Sequence, residues 1–113
     1  MMQAKKELKR VNDWMKTFGE NSPDSMKSFQ SLIGAVEKEG VLSAKTKELM
    51  AIAISITQQC EWCIAYHVNN AVNKEGATSE EVIEAAWVAV LMGGVPALMH
   101  AGLVLEALED LEK

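Results

Sequence analysis

The sequence predicts an all-α domain of about six helices, and three observations predict it. Ala, Leu, Met, Glu and Lys, which lose little entropy on entering a helix, are abundant, while aromatic residues make up only 5% of the chain. No stretch alternates apolar and polar residues with the period of two that a half-buried strand requires. Helix start and stop signals recur at helix-length intervals from one end to the other. With 113 residues, 49% of them hydrophobic, residues 1–113 suffice for one core, and no repeat, low-complexity tract or linker divides them into more than a single domain.

Residues 4–18 carry Leu8, Val11, Trp14 or Met15, and Phe18 at three- and four-residue spacing among charged positions, an amphipathic helix with Gly19 as its stop. Ser22-Pro23 offers a cap oxygen followed by a proline at the first helical position, and the helix it opens extends to Glu39 and stops at Gly40. Ser43 caps a third helix over about residues 44–58, which becomes strongly apolar after Glu48 and is expected to be buried. Gln58-Gln59 interrupts that pattern, so a fourth helix starts just before Cys60 and ends at Gly76. Thr78-Ser79-Glu80-Glu81 is a capping box, which opens a fifth helix to about Met92. Pro96 opens the sixth, where Gly93, Ala97 and Ala101 recur every fourth position and Gly102 adjoins them, so that one side can approach a neighbour closely. Trp14 and Trp87 stand at core spacing on their helices, and the acidic end, Glu106, Glu109, Asp110 and Glu112, reads as a solvated face that could orient a basic partner.

The residues from Ala85 to Leu105 are uncharged and numerous enough to raise the question of a membrane span. Gly93-Gly94-Val95-Pro96 lies at their middle, a helix stop followed by a helix start, so the run divides into two segments too short to cross a bilayer. They read as a buried helical hairpin. A domain this small has little interior, so apolar helices without a polar face are expected to bury themselves against another subunit, as a homo-oligomer. Lys plus Arg number 11 and Asp plus Glu 16, a net charge of −5 that argues against nucleic acid or an anionic membrane as partner. The basic N-terminus leads into no apolar stretch of signal-peptide length, and the expectation is a cytoplasmic protein, in which a cysteine pair is redox-active or metal-binding rather than a permanent staple.

The chain's two cysteines are Cys60 and Cys63, in Cys60-Glu61-Trp62-Cys63. Positions i and i+3 of a helix share a face, so both sulfurs can close a small disulfide that opens and closes readily. At a helix N-terminus the free N–H groups favour the thiolate that attacks disulfides and peroxides. His67, four residues beyond Cys63, falls on the same face and can take a proton from a thiol or return one to a leaving thiolate. The competing readings are two buried cysteines packed as small hydrophobes, and a metal or iron–sulfur site through Cys60, Cys63 and His67. Glu48, taken alone, reads as a solvated residue pairing with Lys45.

Glu48, Cys60, Cys63 and His67, spaced E-x11-C-x2-C-x3-H, resemble the pattern of the alkylhydroperoxidase D-like proteins within the carboxymuconolactone decarboxylase superfamily. The resemblance covers roughly residues 30–110, including the capping-box turn and the Gly-Gly-Val-Pro hairpin, and leaves the first helix outside. It implies an all-helical oligomer (dimer, trimer or hexamer) whose catalytic residues are Cys60, Cys63, His67 and Glu48, and whose redox group is a Cys60–Cys63 disulfide with no bound cofactor. By the same resemblance Cys63 is the attacking thiolate, Cys60 closes the disulfide, and Glu48 with His67 deprotonates Cys63. Position alone suggests the opposite order, since Cys60, nearer the helix end, should be the more exposed and more acidic thiol.

Alkylhydroperoxidase D proper has a histidine between the cysteines where Trp62 stands here, a departure that favours disulfide over peroxide reduction and suits an apolar substrate or partner. Tyr66 reads as a half-buried helical tyrosine, and His100 as a core or interface histidine with a backbone partner. The superfamily's decarboxylase activity is disfavoured, because no Arg and His set converges to hold a lactone dicarboxylate. No Gly-rich dinucleotide fingerprint is present, so electrons are expected from a protein or small-dithiol donor.

Overall fold

The computed structural model describes residues 2–112. Six α-helices follow one another, and no strand occurs among the described residues: α1 (Ala4–Asn21), α2 (Pro23–Glu37), α3 (Ala44–Thr57), α4 (Glu61–Asn69), α5 (Ser79–Gly93) and α6 (Val95–Leu111), with a π-helical turn at Asn70–Lys74. Helices α3, α4, α5 and α6 pack on one another, α1 lies across α4 and α6, and α2 rests on α1 with a slight contact to α3. Ile52 and Ile56 of α3, Ile64 and Val68 of α4, Val82 of α5 and Val104 of α6 are fully buried where the four helices meet. Each such side chain contributes about 1.5–3 kcal/mol of apolar burial. The expected all-α class and helix count hold.

Several boundaries differ from expectation, each for a local reason. Gly19 does not stop α1, which continues to Asn21 and breaks at Ser22, because a residue preceding proline is pushed out of the helical region. Ser22 accordingly makes no side-chain cap bond. Helix α2 ends at Glu37, before Gly40, since Lys38 is already extended and the Lys47 ammonium, reaching over from α3, donates to the carbonyls of Val36 and Lys38 at 2.9 and 2.8 Å. Ser43 caps α3 as expected, its oxygen accepting from the Thr46 N–H. The fourth helix is not regular as far as Gly76: it widens at residue 70 into the π turn. The capping box at Thr78 and Glu81 is present in full.

The apolar stretch does fold into the α5–α6 hairpin. Gly94 has φ +71° and ψ −153°, a conformation that side-chain-bearing residues scarcely reach, and a Cβ on Gly93 would come within 2.7 Å of the Ala97 Cβ. No helix among the described residues is long and apolar enough to cross a membrane. Within one chain the hairpin is buried on one side alone. Trp87, Leu91 and Met92 are 60%, 81% and 79% exposed, so the expected core position of Trp87 is not observed. The acidic end is not simply a solvated face either: Glu106 accepts from the Met2 N–H at 2.7 Å and Asp110 from the Lys5 N–H at 2.9 Å, which ties down the start of α1. His100 donates from Nδ1 to the Pro96 carbonyl at 3.1 Å, the backbone partner expected of it.

Candidate functional site

The cysteines sit where α3 hands over to α4. Gln59 takes a positive φ of 56°, and the Cys60 N–H returns to the Ser55 carbonyl, so the chain reverses in a few residues and lays α4 back along α3. Cys60 is the N-cap of α4, its sulfur accepting from the Cys63 N–H at 3.2 Å, and Cys63 lies in the first turn. The two are joined as a disulfide. Both are half-buried, so exposure does not separate them in the way their positions had suggested. Cys63 and His67 border one groove, while Cys60, as the cap, does not line it.

The reversal brings Glu48 of α3 opposite His67 of α4. Glu48 is 4% exposed, and its carboxylate lies 2.7 Å from His67 Nδ1. Lys45, the expected partner of Glu48, instead pairs with Glu81 at 2.9 Å. Asn70 reaches the other Glu48 oxygen, donating from Nδ2 at 3.5 Å. With the carboxylate ionised, Nδ1 carries the ring proton and Nε2 is the nitrogen able to accept another. His67 is thereby held in orientation by a buried carboxylate.

A third titratable group joins them. Glu37, the last residue of α2, puts a carboxylate oxygen in a cluster with Glu48 and His67 in which all three potential ligand atoms lie within 4.8 Å of one another. Burial, and next the negative charge of Glu48, hold the Glu37 carboxyl above its ordinary range, against the opposing effects of His67 and Lys74. Three such groups could share a small cation. Neither Glu37 nor Asn70 was singled out from the sequence. A signal for Glu37 exists, because Phe29, Ile33 and Glu37 recur every fourth residue and continue an apolar stripe with a carboxylate.

These residues border an apolar groove of about 250 Å³. Helix α1 contributes Val11 and Met15, α2 contributes Phe29, Ile33 and Glu37, and α4 contributes Trp62, Cys63, Tyr66 and His67. Trp62 packs edge-on against Trp14 with ring centroids 5.5 Å apart, and the Arg10 guanidinium lies 4.9 Å from the Trp14 ring. Trp14 thus belongs to the groove's rim rather than to the core. Tyr66 is half-buried as expected; burial raises its hydroxyl above the ordinary tyrosine range, and its ring meets His67 edge-on at 4.9 Å.

Comparison with known proteins agrees with this architecture. Residues 23–107 match the model of the carboxymuconolactone decarboxylase family. A carboxymuconolactone decarboxylase family protein from Legionella pneumophila, solved in its apo form, is 40% identical and superposes with a TM-score of 0.93 over 97% of both chains. A Thermotoga maritima member of the same family, described with a suggested part in antioxidative response, is 33% identical with a TM-score of 0.83, covering 95% of this chain and 90% of that one. An uncharacterized protein in the cox locus of Paracoccus denitrificans is 40% identical over 85 residues, 75% of this chain and 76% of its own length.

Proposed function

The chain belongs to the carboxymuconolactone decarboxylase family, and from that premise we propose that it is a thiol–disulfide oxidoreductase that reduces disulfides and, more slowly, hydroperoxides. One observation carries the reading: the Cys60–Cys63 pair opens through Cys63 onto an apolar groove that also holds His67, whose other ring nitrogen is bonded to buried Glu48. The suggested antioxidative role of the Thermotoga relative points the same way.

In the reduced protein His67 Nε2 takes the Cys63 proton, and the resulting thiolate attacks one sulfur of the substrate disulfide. The substrate S–S bond breaks, a mixed disulfide forms on Cys63, and the first thiolate leaves with a proton. The Cys60 thiol gives up its proton and attacks the Cys63 sulfur, which releases the second thiol and closes the Cys60–Cys63 disulfide. With a hydroperoxide, Cys63 takes the terminal oxygen as a sulfenic acid, an alcohol leaves, and Cys60 displaces water. A protein or small dithiol then donates two electrons to reopen the pair. Cys63 is the attacker in this scheme because it borders the groove with the base, whereas Cys60 is the cap. Trp62, between the cysteines, supplies no proton to a leaving alkoxide, and this is why disulfides are the preferred substrates.

The same reading holds that the chain acts as a homo-oligomer in the thiol-reducing cytoplasm. Supporting it is the outer face of α5–α6, where Trp87, Leu91 and Met92 lie together in solvent, a continuous apolar patch of the kind that marks association. Sedimentation of wild type and Leu91→Glu checks this, with dissociation expected for the variant.

The deciding assay follows reduction of a lipoyl-type disulfide, a generic protein disulfide and a peroxide by the purified protein, with Cys63→Ser and Cys60→Ser beside it. Wild type is expected to favour the disulfides, and its two thiols to become alkylatable only after reduction. Full activity in both single-cysteine variants would overturn the proposal.

A further inference from the structure

We infer that Glu37 is a third member of the proton-handling set, a positioning residue that acts through His67 to hold the proton taken from Cys63 until the leaving thiolate claims it. The inference rests on the oxidoreductase reading and adds to it a residue from a different helix. Two carboxylates and one imidazole converge within 4.8 Å, and one imidazolium can neutralise only one of the two anions. The second carboxylate therefore stands beside the imidazole, within the same cluster, where it can stabilise a proton held on the ring.

Their places in the fold divide the labour. Glu48 is sealed beneath α4, bonded to Nδ1, and does not border the groove. Glu37 does border it, beside Cys63 and His67. Of the two carboxylates, Glu37 alone stands on the groove side of the cluster, where it can bias the proton that His67 exchanges with a bound group. Its position is fixed from the far side: Lys47 of α3 clamps the end of α2 through the Val36 and Lys38 carbonyls, on either side of Glu37. The ionisable groups that act on Glu37 are Glu48 on α3, His67 and Tyr66 on α4, and Lys74 on the π turn, while α1 presents to the groove the uncharged Val11 and Met15. Burial, and next Glu48, raise the Glu37 carboxyl above its ordinary range, which favours its holding a proton.

The proton count closes. When His67 takes the Cys63 proton, the imidazolium shares its cluster with two carboxylates. As the substrate S–S bond breaks, the departing thiolate takes that proton from the His67–Glu37 side of the cluster, and the cluster returns to its starting charge. The Cys60 proton follows the same route in the second half, so each thiol proton ends on one product thiol and Glu37 is unchanged.

The test compares Glu37→Gln and Glu37→Asp with wild type in two single-turnover reactions of the full chain across pH: oxidation by a lipoyl-type disulfide, whose leaving group must be protonated, and alkylation of Cys63 by iodoacetamide in a Cys60→Ser background, whose leaving iodide needs no proton. Glu37→Gln is expected to slow the disulfide reaction about tenfold or more and to remove one inflection from its pH profile. Alkylation should change by less than about twofold, and Glu37→Asp should recover part of the loss. Wild-type disulfide rates with both inflections in Glu37→Gln would overturn the inference, as would a parallel fall of both reactions, which marks a merely structural role. Should the Gln variant not fold, the Asp variant decides: a displaced inflection supports the inference, an unmoved one sinks it. Failure of the oxidoreductase reading is separately visible as wild-type activity in the cysteine variants.

Discussion

The groove has two walls, and they are built differently. The inner wall is α4, backed by α3; the two helices meet on Ile52, Ile56, Ile64 and Val68, all fully buried, and hold the cysteines, Glu48 and His67. The outer wall is α2 with part of α1, and α2 has no buried residue at all, with Phe29, Leu32 and Val36 each more than half exposed. The difference teaches where precision is held. Proton transfer requires groups fixed to within fractions of an ångström, and these are seated on the core, whereas substrate admission tolerates a wall held by few contacts. Glu37 crosses the division, a titratable group at the end of the loose wall, pinned from the firm one by Lys47.

Breaking the inner wall should have the largest effect. Cys63→Ser is expected to lower disulfide reduction on the order of a thousandfold or more in steady-state assays, with the fold intact by circular dichroism. His67→Ala removes the base and strands Glu48 in the interior; reductase activity should fall by about a hundredfold or more. Denaturant unfolding of that variant should register a loss of about 2–3 kcal/mol, below the full cost of a buried orphan charge because Asn70 remains beside the carboxylate. Phe29→Ala, on the outer wall, should move stability by less than about 1 kcal/mol and raise KM for an apolar disulfide several-fold with little change in kcat, the signature of lost ground-state binding.

The smallest expected effect is also the most specific. The Glu37 carboxyl is raised in the folded protein by burial and by Glu48, so its contribution to stability is fully present below the unfolded carboxylate value and is lost as pH rises through the folded one. Glu37→Gln, which resembles the protonated form at every pH, should match wild type in acid and be slightly more stable at neutral pH, by thermal unfolding at both. The margin is small because water reaches the group. Higher stability with lower turnover in one variant would mark a strained functional site.

Much of this was legible in the sequence because it is local. The Ser43 cap, the Thr78–Glu81 box and the Gly-Gly-Val-Pro break are decided within four residues, and each is found as expected. The shared groove face of Cys63 and His67 follows from helical spacing, whereas Cys60, expected on the same helical face, is the extended cap residue and does not line the groove. Glu48 needed the family pattern, since nothing near it in the chain reveals that Lys45 turns to Glu81 while the carboxylate is buried under α4. Glu37, Asn70 and the contacts of Glu106 and Asp110 with the start of α1 depend on how separate helices meet, and a single sequence carries no direct sign of that. Trp87 was misjudged for a related reason: helical spacing shows that a stripe is apolar, not whether its own chain covers it.

The π turn at Asn70–Lys74 has a consequence for chain length. Such a turn is a helix that has absorbed one residue beyond its regular winding, kept in place by bonds such as Glu75 N–H to Asn70 O. Loss of any one residue there would remove the widened turn together with its bond from the Glu75 N–H to the Asn70 carbonyl. The Ala77 N–H, which reaches the Ala71 carbonyl across that turn, would lose its partner. The length of this one segment, rather than the identity of any single exposed residue in it, therefore governs how α4 joins the turn that leads into α5.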